Sequence, residues 1–206
     1  MRKGTTLQWM GAAFGVALTI VLAVALLAPA NRLSLALRST ARWSFLLFWL
    51  ASVGSALTTL FGSRFGNLAA RARDFGLAFA SAHLVHLGLV VWLYYAFVGP
   101  SEFTLIFFGI AAFWTYLLAL LSVKRISAAV QPRTWKILRT IGVEYISLAF
   151  LYDFARNPFG GGFIRVVGYL PFLILAAAGP LLRLAAVLKK LQVRRAQNNA
   201  SAMNDG

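Results

Sequence analysis

Six stretches of this chain run for about the length of a membrane crossing with almost no charge: Met10 to Pro29, Trp43 to Ser63, Phe75 to Pro100, Phe103 to Val123, and the weaker Thr140 to Ala155 and Val166 to Leu182. A crossing takes about 20 mostly apolar residues, and in lipid only a helix satisfies all its backbone hydrogen bonds within one segment. The fold class read from the sequence is therefore all-α, a polytopic membrane bundle of six transmembrane helices. Composition agrees, since 12% of the residues are charged, against roughly 25% in soluble domains.

The formal net charge of +15 would suggest nucleic acid in a soluble protein, but that needs a basic face on a folded domain outside the membrane. No segment is long enough for one, so no nucleic-acid partner is expected. Topology accounts for the charge better, because Lys and Arg gather in short cytoplasmic loops. With the N-terminus inside, Arg2, Lys3, Arg64, Arg71, Arg73, Lys124, Arg125, Arg133, Lys136, Lys189, Lys190, Arg194 and Arg195 face the cytoplasm. The opposite side holds Arg32, Arg38, Arg42, Arg156 and Arg165, while Arg139 and Arg183 fall within or at the ends of helices. Thirteen against five reads as N-in and C-in. The expected division is a cytoplasmic N-terminus over 1–8, the bundle over 9–187, and a basic then polar cytoplasmic tail over 188–206, disordered from Gln197.

Arg2-Lys3 before an apolar run ending in Ala28-Pro29-Ala30 imitates a secretory signal. The run is longer than a signal's apolar region, and its removal would put the termini on opposite sides, so it reads as the first span. Arg32 to Arg42 reads as a short basic connection, with Ser39 or Thr40 capping the second helix and Trp43 at the interface. Gly62 and Gly66 form a G-x-x-x-G at a helix end. Gly99-Pro100-Ser101 is a turn joining antiparallel neighbours, and Lys124 to Lys136 is the second cytoplasmic loop. Asn157-Pro158 and Gly160 to Gly162 form an outer turn, and Pro171 and Pro180 are expected to kink the sixth span.

Ionisable groups inside the hydrocarbon layer are costly, so each is a candidate for function: His83, His86, Arg139, Glu144 and Asp153. The histidines, three apart, share one helix face. Either could simply hydrogen-bond a neighbouring carbonyl or hydroxyl, or serve as a ligand, but they cannot bind one metal in trans. Glu144 and Asp153, nine apart, fall on opposite faces and form no carboxylate pair. Asp153 is expected to pair with Arg156, and Glu144 with Arg139 or a basic residue after the fourth span, or to stay protonated. The chain has no cysteine, which excludes disulfides and thiolate sites, and it has no nucleotide-binding or hydrolase motif.

The stretch from Arg73 through Gly76-Leu77 to His83 and His86, with Trp92 and Tyr94 beyond, resembles the third helix of the ferric reductase-like transmembrane family. Members read R-x-x-G-L and then a histidine at the separation that Gly76 and His86 show here. Trp135 to Arg139 is similar to the family's W-x-x-L-H opening of the fifth helix, and the resemblance covers residues 40–187. It implies a b-type haem between the third and fifth helices, with His86 as iron ligand and electrons carried across the bilayer, as in the haem-binding membrane subunit of bacterial methionine sulfoxide reductase. Arg139 stands where the family has its first fifth-helix histidine, and Tyr152 or a neighbour where the second is expected. A tyrosine opposite the histidine can ligate ferric iron.

By this resemblance the chain is an oxidoreductase subunit in a bacterial inner membrane. It has no flavin or nicotinamide domain after the sixth span, so a separate redox partner supplies its electrons. The alternatives are a haem-free membrane scaffold or assembly protein, and a small proton-coupled transporter using Glu144 and Asp153.

Overall fold

A computed structural model of the chain describes residues 3–27, 32–96, 101–122, 131–156 and 162–204. All of its regular structure there is helical: α1 (Lys3–Leu27), α2 (Arg32–Phe61), a 3₁₀ turn over Ser63–Phe65, α3 (Gly66–Ala70), α4 (Ala72–Ala96), α5 (Glu102–Leu121), α6 (Pro132–Ala155) and α7 (Phe163–Asn204). Segments in α1, α2, α4, α5 and α7 are long and apolar enough to cross a membrane, so the chain is a multi-pass integral membrane protein. The fifth expected span, α6, falls short of that measure because Arg133, Lys136, Arg139, Glu144 and Asp153 interrupt it. It nonetheless packs between α5 and α7.

The helices alternate in direction, as their end contacts require. At one end, Thr6 Oγ1 of α1 donates to Asp74 of α4 at 2.8 Å, Arg73 Nε donates to the Ser122 carbonyl after α5 at 2.9 Å, and Lys189 Nζ of α7 donates to the Leu60 carbonyl of α2 at 3.2 Å. At the other end Arg42 of α2 lies over the Tyr169 and Phe172 rings of α7, and Phe103 of α5 meets Tyr152 of α6. Arg71, Arg73, Lys136, Lys189 and Lys190 thus belong to one end of the bundle.

The first helix is an integral part of the packing. Ala17 is fully buried, Trp43 Nε1 donates to the Ala13 carbonyl, Ser81 Oγ donates to the Met10 carbonyl, and Trp9 meets Phe75. Where α2, α4, α6 and α7 converge, Phe45, Phe48, Phe79, Phe150, Phe154 and Phe172 pack ring against ring, with centroids 5.0–6.2 Å apart. Tilted and edge-on pairs at these distances gain from the ring quadrupoles beyond the burial of area.

Three expectations about element ends are corrected. The second helix starts at Arg32, so Ser39 and Thr40 lie inside it; the Thr40 hydroxyl donates to the Ala36 carbonyl at 2.7 Å and caps nothing. Arg42 is a residue of the span, not of a connection. The last helix runs on to Asn204, because Ala, Gln and Arg favour helix and the helix is already nucleated by its apolar part, so the tail is helical over 197–204. That helix is continuous through Pro171 and Pro180.

Gly62 and Gly66 serve a turn: Gly62, at φ 86, closes α2 and Gly66 opens α3. Ser101 caps α5 by accepting from the Thr104 amide, and Pro132 opens α6 at a first-turn position, where its missing N–H costs nothing. Ala28-Pro29-Ala30, Gly99-Pro100, Lys124-Arg125, Asn157-Pro158 and Gly160-Gly161 lie outside the described residues.

Candidate functional site

His83 and His86 lie side by side on α4 as their spacing requires, with ring centroids 5.3 Å apart and planes inclined by 24°. His86 Nδ1 is 3.1 Å from Thr40 Oγ1 of α2. Because the Thr40 hydroxyl proton goes to the Ala36 carbonyl, the hydroxyl accepts from His86 Nδ1–H. This inferred tautomer leaves the lone pair on Nε2. His83 is flanked by Phe79, at 5.4 Å, and Tyr116 of α5, at 6.5 Å. Its Nδ1 is buried with no hydrogen-bond partner among the described residues.

Glu144 does not pair with Arg139. Its two carboxylate oxygens accept from Nε and Nη2 of Arg183 on α7, both at 2.7 Å, and the same Nη2 donates to Ser147 Oγ at 2.8 Å. This is the two-pronged geometry that fits a planar guanidinium to a carboxylate. Asp153 makes no hydrogen bond or ion pair with Arg156 among the described residues. Arg156 instead lies over the Tyr152 ring at 5.9 Å, and Arg156 and Arg42 are the basic groups that act on the Asp153 carboxyl. The two acids of α6 therefore serve different neighbours.

A cleft of about 460 Å³ opens between α2, α3, α4, α5 and α6 at the basic end. Phe48, Phe79, Leu118 and Ile146 line it, together with Arg73, Arg139, Ser52, Ser55, Ser122 and Trp135. A second cleft shares Ser52, Ser55, Trp135, Arg139 and Val143 with the first, and reaches Lys136, Glu144, Arg183 and Lys190. Neither histidine lines either cleft. Phe79 is a wall of the first and touches His83, so it stands between the histidines and that space.

The arrangement does not fit a haem held between α4 and α6. The positions that would face His86 are turned elsewhere: Tyr152 packs among Phe103, Phe107 and Phe108 of α5, and Arg139 lines the cleft beyond Phe79. Phe79 of α4 and Phe150 of α6 meet directly at 6.1 Å. One imidazole with a suitable tautomer is present, but among the described residues no second axial group is opposed to it.

Sequence reasoning missed Arg183, set aside as a helix-end residue; Thr40, read as a cap; and Asp74, which is buried in the first turn of α4 and tied to Thr6. The signal for Asp74 was its place at a helix N-terminus, where a carboxylate is favoured. No family model, no curated protein and no solved structure matches the chain.

Proposed function

We propose that this chain is a six-span, N-in and C-in protein of a bacterial inner membrane, built on the ferric reductase-like plan but working without haem, as a scaffold or assembly protein for a membrane partner. The observation that carries the reading is the separation of parts: the candidate imidazoles lie on one side of Phe79 and the cleft on the other. Arg139 in the cleft, at a position where the family resemblance expects a histidine, is consistent with a bundle that kept the helix plan and lost the metal chemistry. The N-in orientation is supported by the gathering of basic residues at the end that holds Arg73, Lys136 and Lys189. The sixth crossing is supported by α6 running beside α5 and α7, with Tyr145 Oη donating to the Phe107 carbonyl and Glu144 meeting Arg183.

A single experiment tests orientation and haem independence together. The chain has no cysteine, so Ser63→Cys and Glu102→Cys each give one thiol without any background to remove. Under the proposal, an impermeant maleimide added to intact cells labels Glu102→Cys and spares Ser63→Cys until the membrane is opened. Both variants accumulate to the same level in haem-starved and haem-replete cells. Reversed labelling would sink the orientation, and a several-fold loss of protein on haem starvation would sink the haem-free reading.

A further inference from the structure

Among the described residues, the first cleft carries two guanidinium groups and no carboxylate. Arg73 spends its Nε on the Ser122 carbonyl, and Arg139 has no hydrogen bond or ion pair among the described residues. Glu144, in the adjoining cleft, is already neutralised by Arg183, and Asp74, next to Arg73 in the chain, is buried outside the cleft lining and accepts from Thr6 of α1. Arg73 is half-buried and Arg139 exposed, and two like charges lining one cleft focus the field there and draw in an anion.

The shape of the cleft says which kind of anion. Arginine forks suit phosphate or carboxylate oxygens, and the Ser52 and Ser55 hydroxyls add neutral donors. The deeper wall is apolar, formed by Phe48, Phe79 and Leu118. A free inorganic anion would leave that wall without contacts, whereas an acyl chain below a phosphate would cover it. Trp135 at the mouth is the residue type that settles at headgroup depth.

We propose that this cleft binds the phosphate head of an anionic membrane lipid, with Arg73 and Arg139 on the phosphate and the chains against the aromatic wall. Neither histidine lines the site, whereas Arg139, at the position of a family haem histidine, does.

Native mass spectrometry of the full chain in detergent, titrated with phosphatidylglycerol, phosphatidylcholine or inorganic phosphate, tests it. The first phosphatidylglycerol is expected to bind about tenfold or more tightly than phosphatidylcholine, whose phosphate is the same but carries a choline cation that two guanidinium groups repel. The Arg73→Gln/Arg139→Gln double variant should lose that preference. Arg194→Gln/Arg195→Gln, which removes the same charge from the distal part of α7, should keep it. Equal affinity for the two lipids overturns the proposal in the unmodified protein alone, whatever the fold of the variants. Equal losses in the two double variants reduce the effect to general attraction and overturn the site. Tight binding of inorganic phosphate with the same dependence on Arg139 assigns the cleft to a soluble anion and overturns the lipid occupant.

Discussion

Replacing Glu144 with alanine lowers the unfolding free energy of the detergent-solubilised protein by about 2–4 kcal/mol, one of the two largest single-residue effects expected in this bundle. Breaking a buried ion pair by removing one partner costs roughly 3–5 kcal/mol, because the other charge is left without compensation. The value here sits somewhat lower because the Glu144 side chain is 46% exposed. Arg183 is only 15% exposed, and its Nη1 is already buried without a hydrogen-bond partner among the described residues, in the notch that Gly179 and Trp49 leave for it. Without the carboxylate, the guanidinium keeps a single hydrogen bond, to Ser147.

Arg183→Ala should cost less, because the charge it strands is the more exposed one. The double variant should be less damaging than the sum of the two singles by about 1–3 kcal/mol, the range for residues in one contact network. Thermal or denaturant unfolding followed by intrinsic fluorescence measures all three. Simple additivity would show that the pair seen between α6 and α7 does not hold the helices together.

The second large effect is steric. A Cβ at Gly54 of α2 would lie 3.0 Å from the Ala69 amide nitrogen and 3.1 Å from the Ala69 Cα and Leu68 carbonyl carbon. These are backbone atoms of α3, so no rotamer change relieves the clash and the whole short helix must shift. Gly54→Leu is expected to cost about 3 kcal/mol, at the upper end of the usual range for overpacking. Ala69 and Ala70 also line the cleft, so its shape changes with them. Gly88→Leu on α4 is the matched control: a Cβ there meets nothing within 4 Å, and leucine favours helix over glycine by roughly 0.5–1 kcal/mol. Its unfolding midpoint should stay level or rise, and a comparable loss in both variants would contradict the close approach of α2 and α3.

The membrane class was legible because hydropathy over a span-length window is a local property, and five helices carry it without help from their neighbours. The shared face of His83 and His86 was legible for the same reason, since helical geometry alone fixes it. What remained hidden depends on how one helix is turned against another. Glu144 and Arg183 are 39 residues apart, and nothing local distinguishes Arg183 from Arg139 as the partner. Thr40 looked like a cap because the cationic stretch before it read as a loop. Once Arg32 starts the helix, Thr40 sits in its interior and is free to fix the tautomer of His86. Arg42 was misplaced with it, its guanidinium accommodated against α7 where Gly168 lacks a side chain.

The helical part of the tail was hidden for another reason. A polar run of Ala, Gln and Arg carries no periodic apolar pattern, yet it continues a helix already begun. The site itself was read from the histidines outward, whereas the cleft formed elsewhere, around Arg73 and Arg139, and no linear motif joins those two.

The haem-free reading is tested most directly by the absorption spectrum of the full-length protein, purified from haem-replete cells and recorded as reduced minus oxidised. With Phe79 between the imidazoles and the cleft, and no ligand opposed to His86 among the described residues, no Soret or α band should rise above the level of a His83→Ala/His86→Ala control. A stoichiometric band that disappears in His86→Ala would contradict the account and return the chain to the electron carriers.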